Sequence, residues 1–162
     1  MLKWHPSDAV KNEIMKELDH ITHSEIKTLS QLGDSLAEKG NYPQALIEYW
    51  NAFDLIPEPK DEWEATTWVL AAMGDANFLE KEYQAGIDNI SNAMHCPGAI
   101  GNPFLHLRLG QCQFEIGDLD QAADELTRAY ALEGEELFSE DDPKYLEFLK
   151  TRIDLSEPNK KP

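Results

Sequence analysis

Basic side chains are scarce in this chain. Lys and Arg together number 14 against 31 Asp and Glu, a formal net charge of −17 over 162 residues. Such a balance repels nucleic acid and anionic membranes and steers the molecule towards a cationic partner. The competing reading is that an acidic surface simply keeps a helical protein soluble. Cysteine is scarcer still: Cys96 and Cys112 are the only two, in no metal-type spacing. No apolar run approaches the roughly 18 residues that span a bilayer. The opening Met1-Leu2-Lys3-Trp4-His5-Pro6 lacks a signal-peptide core, so a cytoplasmic location is expected.

Recognisable catalytic apparatus is missing as well. His20 and His23 are three apart on one expected helix, but no cysteine or carboxylate completes a metal site, and a solvated helix face is the simpler reading. His95, Cys96 and Cys112 form no nucleophile and base arrangement. No glycine-rich loop suits a phosphate, and the acidic clusters Glu135-Glu136 and Glu140-Asp141-Asp142 lack the calcium-loop pattern. These absences count against an enzyme, and neither cofactor nor metal is expected. Cys112 matches Ser35 and Ala76 in register, which makes it a small packing residue.

What the chain does have is an internal repeat. The windows Gly33 to Pro57, Gly74 to Gly98 and Gly110 to Gly134 superimpose when slid over one another. Each opens on glycine (Gly33, Gly74, Gly110), reaches a tiny residue after the same interval (Ala45, Gly86, Ala122), and then an alanine (Ala52, Ala93, Ala129). Four positions beyond the tiny residue stands a bulky one (Tyr49, Ile90, Leu126), and four further another (Phe53, Met94, Tyr130). Such steps place them on one helical face. Turns at Lys39 to Pro43, Glu80 to Tyr83 and Ile116 to Leu119 divide each window into a helical hairpin, in which small residues let the paired helices approach closely.

Each end of the stack needs a cover. At the N-terminus Val10, Ile14, Leu18 and Ile21 make an apolar stripe on a capping helix over 7–22, and Thr22-His23-Ser24-Glu25 reads as a capping box opening the first repeat helix. At the C-terminus Asp142-Pro143 starts a capping helix over 142–153 with Tyr145, Leu146, Leu149 and Ile153 facing the stack. The tail 156–162 is polar and expected to fray. Of two inserted segments, Glu58 to Glu64 is expected to extend the next helix, while Pro97 to Pro103 is punctuated as a loop.

The pattern Leu29-x2-Leu32-Gly33-x2-Leu36-x8-Ala45-x3-Tyr49-x2-Ala52-x4-Pro57 resembles the tetratricopeptide repeat (TPR), whose unit is about 34 residues. The other copies depart from it: Asn77 and Gln113 stand where a large apolar residue is usual, each followed by phenylalanine. The resemblance implies an all-α fold, a right-handed α-solenoid of three hairpins (repeat 1 over 26–59, repeat 2 over 60–100, repeat 3 over 103–135) between two capping helices. It further implies a concave partner-binding wall lined by the first helix of each hairpin. Carried onto this chain, that wall holds Asp34 and Glu38, then Trp68, Asp75 and Phe78, then Phe104, Arg108, Gln111, Phe114 and Glu115. Trp68, Phe104 and Arg108 are expected to be exposed there; Phe78 and Phe114 belong either to the groove or to the core, replacing Asn77 and Gln113.

In chaperone-binding members of the family a basic and amide clamp holds the partner's terminal carboxylates. The matching positions here are Ser30, Asp34, Ala72, Phe104 and Arg108. Only Arg108 fits, and Asp34 would repel a carboxylate, which argues against that role. The stretches Asp61-Glu62-Trp63-Glu64-Ala65, Gly101-Asn102-Pro103-Phe104-Leu105-His106-Leu107-Arg108-Leu109-Gly110-Gln111 and Asp141-Asp142-Pro143-Lys144-Tyr145-Leu146-Glu147-Phe148-Leu149 resemble small bacterial TPR proteins that accompany secreted polymorphic toxins. That resemblance implies a cytosolic immunity protein, monomeric when unbound, whose partner is a basic toxin domain. The alternative is a chaperone or adaptor for a secreted effector, without inhibition.

Overall fold

Helix boundaries in this chain follow from how the terminal backbone groups are satisfied. The computed structural model describes residues 19–155. Asp19 caps α1 (His20–Glu38): its carboxylate accepts from the Ile21 and Thr22 amides at 3.0 and 3.4 Å and from the Thr22 hydroxyl. These hydrogen bonds, the Thr22 side chain's first, hold the Asp19 pKa below the usual carboxylate range. The helix therefore opens earlier than the capping-box reading places it. Thr22 and Glu25 lie inside α1, because a charged acceptor at Asp19 captures the hydroxyl that would have capped Glu25. The stripe at Val10, Ile14 and Leu18 and the tail 156–162 lie outside the described residues, and Ile21 is exposed on α1.

The first hairpin closes with α2 (Tyr42–Leu55). Its turn needs a residue with positive φ, supplied by Gly40 at 77°, and Asn41 then caps the new helix through the Gln44 amide at 3.4 Å. The second hairpin is α3 (Glu64–Leu79) and α4 (Tyr83–Ala93), the third α5 (Pro103–Glu115) and α6 (Leu119–Glu133), and α7 (Lys144–Arg152) follows. There is no strand among the described residues. Lys81 takes the place of Gly40 and Gly117 in the second turn and adopts φ 64° despite its side chain.

The opening glycines have a direct physical cause. A Cβ added at Gly33 would strike the Tyr49 ring, at Gly74 the Ile90 side chain, and at Gly110 the Leu126 side chain at 2.8 Å. Each bulky residue of the repeat thus seats on the bare backbone of its hairpin partner, which draws the helices together. The middle position of the second repeat is Gly86 rather than alanine because Cys112, from the next hairpin, occupies the space; its sulfur would lie 2.9 Å from an added Cβ. Cys112 is fully buried, and burial pushes its thiol up to about 12.

Hairpins stack in chain order, α2 against α3, α4 against α5 and α6 against α7. The segment before α3 does not lengthen it. A cis Glu58–Pro59 peptide and a short 3₁₀ turn at Lys60–Glu62 precede Glu64. The Lys60 ammonium donates to the Phe53 carbonyl at 2.9 Å and to that of Ile56, satisfying the C-terminus of α2. The Trp63 indole donates to the Pro57 carbonyl at 2.9 Å. The segment from Pro97 to Asn102 is a loop, as expected, that ends where Pro103 opens α5; Gly98 and Gly101 have positive φ and the Pro97 carbonyl accepts from the Thr67 hydroxyl at 2.8 Å.

The polar departures from the repeat are built into the core. Asn77 is buried, donating to Glu82 at 3.3 Å and accepting from Asn89 at 2.7 Å. Gln113 is buried with its amide donating to Gln121 at 3.5 Å.

Candidate partner-binding surface

The inner helices α1, α3 and α5 carry the ten residues expected on the concave wall, and the structure divides them into two groups. In the N-terminal half, Asp34 and Glu38 are exposed on α1, where the Asp34 carboxylate accepts from the buried Tyr49 hydroxyl at 2.6 Å. Burial, then that hydrogen bond, push the Tyr49 phenol well above its ordinary value. Trp68 is half-buried on α3, its ring edge-on to His23 with centroids 6.3 Å apart. Its indole N–H is shut off from solvent and has no hydrogen-bond partner among the described residues.

The C-terminal half is organised around Arg108. Far from lining an open groove, this residue is only 6% exposed. Its Nε donates to Asp75 at 2.7 Å, and its Nη1 donates to Gln111 at 2.8 Å and Asp141 at 3.1 Å. The guanidinium lies 4.3 Å from the Phe78 ring centroid and 5.3 Å from that of Phe104. Burial favours the neutral form of Arg108, but the carboxylates of Asp75 and Asp141 outweigh it and raise its pKa. Asp75 and Gln111 are buried beside it, and the Gln111 amide nitrogen has no partner among the described residues. One cation therefore ties α3, α5 and the segment before α7 together.

Phe78 and Phe114 are half-buried and pack against the core cluster that includes Tyr145 and Leu149. Tyr145 of α7 packs against both, at centroid distances of 6.3 and 5.4 Å, and Phe148 lies 5.1 Å from Phe114. The Tyr145 hydroxyl donates to Glu115 at 2.7 Å, and Lys144 pairs with the same carboxylate. The chain's own C-terminal helix thus occupies this end of the wall, and Phe104 remains half-buried. Asp141 and Tyr145 were not legible as parts of this site, because they stand outside the repeat register. On the outer side, Gly101 donates to His106 Nε2 at 3.2 Å, so the ring carries its proton on Nδ1, 2.6 Å from Glu125.

No family model matches the sequence, and no curated protein is significantly similar to it. Solved structures do match. The first TPR domain of human RPAP3 superimposes with a TM-score of 0.63 at 19% identity, covering 81% of this chain and 96% of that one. The Yersinia enterocolitica type III secretion chaperone SycD, in complex with a peptide of the translocator YopD, gives 0.64 at 17% identity, covering 82% and 95%. The C-terminal TPR-containing domain of a putative Plasmodium falciparum FK506-binding protein gives 0.66 at 15% identity, covering 88% and 92%.

The fold is that of the tetratricopeptide repeat. Within this TPR stack, α1 to α6 form the three hairpins and α7 covers the last. Among the described residues no cluster of His, Cys, Asp or Glu could hold a metal, and no helix is long and apolar enough to cross a membrane.

Proposed function

We propose that this TPR stack is a protein-binding module whose open site is the N-terminal half of the concave wall. The observation that carries this reading is the division of the wall. α7 and Asp141 fill its C-terminal half, whereas Asp34 and Glu38 are exposed on α1 and Trp68 is half-buried on α3. The exposed carboxylates of α1 suit a partner with Lys or Arg side chains, which the net charge of −17 would attract over long range.

A terminal carboxylate is not the expected ligand. Other TPR structures of this fold hold chaperone peptides ending in EEVD. Here the one clamp-type residue, Arg108, is buried and already neutralised by Asp75 and Asp141.

The finer reading is a cytosolic immunity protein that binds a basic bacterial toxin domain and inhibits it stoichiometrically. It is supported by the acidic balance and by the three stretches that resemble toxin-associated TPR proteins. A second reading, a chaperone or adaptor for a secreted effector, is favoured by the likeness to SycD, a secretion chaperone seen with a translocator peptide. Affinity capture of the cellular partner, followed by an assay of its activity with and without one equivalent of this chain, separates them. Inhibition at equal stoichiometry supports the immunity reading, and undiminished activity of a bound partner overturns it.

A further inference from the structure

The repeat register exposes an anomaly on the outer surface of the first hairpin. Ala45, Gly86 and Ala122 mark equivalent sites on α2, α4 and α6, so the residues two positions later, Ile47, Asp88 and Asp124, are equivalent, as are Trp50, Ser91 and Thr127. The later repeats carry polar residues at both sites, and Asp88 and Asp124 are exposed as such positions should be. In the first repeat the same sites hold isoleucine and tryptophan, 51% and 48% exposed. Isolated exposed apolar residues are commonplace. Two of them, one turn apart at sites that the same chain elsewhere makes polar, are not explained by the scaffold.

The tryptophan is also held in place. Its ring stands edge-on to Phe53 with centroids 5.4 Å apart, and the Lys60 ammonium lies 4.9 Å from the centroid of Phe53. A large aromatic side chain held against a neighbour loses little rotamer entropy on binding and is the type that most often anchors an interface.

Charge selects the occupant. α2 contains Glu48 and Asp54 and no Lys or Arg, and Lys60, which keeps its charge, directs its ammonium to the Phe53 and Ile56 carbonyls, leaving the helix itself net acidic. A second copy of this chain would bring an identical acidic helix to the contact. From these observations we propose that the outer face of α2 is a second docking surface, for an amphipathic helix whose apolar stripe is edged by Lys or Arg. Such a helix lays its side chains along the ridge formed by Ile47 and Trp50. This inference rests on the reading of the chain as a protein-binding module and adds a contact outside the concave wall.

The test uses the residues of the sister repeats. The Ile47→Asp, Trp50→Ser variant of the full chain carries at these sites the side chains of the second repeat and should melt close to the parent. The probe is a synthetic helical Leu/Lys peptide with leucines at i, i+3, i+4 and i+7, titrated by NMR into both proteins. Saturable shifts at Ile47 and Trp50, with affinity about tenfold or more weaker in the variant, are the expected result. Equal affinity for parent and variant, shifts at Asp34 and Trp68 instead, or a parent dimer that the variant converts to monomer would each overturn the proposal. A cellular partner retained equally by the variant would also refute this docking surface while leaving the protein-binding reading intact.

Discussion

Replacing Arg108 with methionine keeps most of the aliphatic stem but deletes the charge on which three elements converge. The Arg108 and Asp75 side chains are each 8% exposed and meet at 2.7 Å, so the carboxylate left behind would be dry and unpaired. Breaking a buried ion pair from one side costs about 3–5 kcal/mol, because the surviving charge keeps its desolvation penalty and loses its compensation. For a domain of this size each kcal/mol moves Tm by about 2–4 °C, so a fall of about 6–20 °C is expected. Urea unfolding measures the cost, and a double-mutant cycle with Asp75→Asn locates it. Neutralising Asp75 in the methionine background should recover about 1 kcal/mol or more, the coupling expected of groups in contact. Amide exchange in α7 should quicken as well, since Asp141 loses its tie. A single-variant cost below about 1 kcal/mol, or strictly additive effects, would refute the assignment of Arg108 as the buried link between repeats.

Gly74→Ala should destabilise by about 1–3 kcal/mol in urea titration despite the better helix propensity of alanine, because Ile90 already fills the space. Lys81→Gly should stabilise by about 0.5–1 kcal/mol in the same assay, by relieving the φ of 64° at a site where the other turns have glycine. Alkaline pH should weaken the fold. The folded-state pKa values of Tyr49 and Tyr145 are raised, chiefly by burial, and those of the Cys96 and Cys112 thiols are pushed up to about 11 and about 12. The unfolded chain therefore releases these protons first, and stability present below about pH 8.5, the ordinary thiol value, declines as pH rises through the folded values. Thermal melts between pH 8 and 11 check the slope, and tyrosinate absorbance should lag for Tyr49 and Tyr145 until the chain unfolds.

The elements that recur in register were the legible ones. Gly33, Gly74 and Gly110 could be paired with Tyr49, Ile90 and Leu126 because helix geometry sets both the spacing and the face, and the close approach follows from the missing Cβ. The start of α1 was not legible, since Asp19 and Thr22 are both competent caps and only their hydrogen bonding to each other shows which one acts. The site at Arg108 failed for a different reason. Its second carboxylate partner, Asp141, is far along the chain and outside the repeat, so no periodicity connects them. Asn77 and Gln113 stood out as polar intrusions, yet their partners Asn89 and Gln121 lie on the facing helices. A column-by-column comparison of the outer helices would have singled out Ile47 and Trp50, because the contrast with Asp88 and Ser91 is visible without coordinates.

Binding of a partner through the N-terminal half of the wall is tested by calorimetric titration of the purified cellular partner against this chain, at low and high salt and with Trp68→Ala and Glu38→Lys variants. A one-to-one complex that weakens as salt rises and loses about tenfold or more in affinity with either variant is the expected result. Absence of a saturable complex, or one indifferent to salt and to both substitutions, would contradict it.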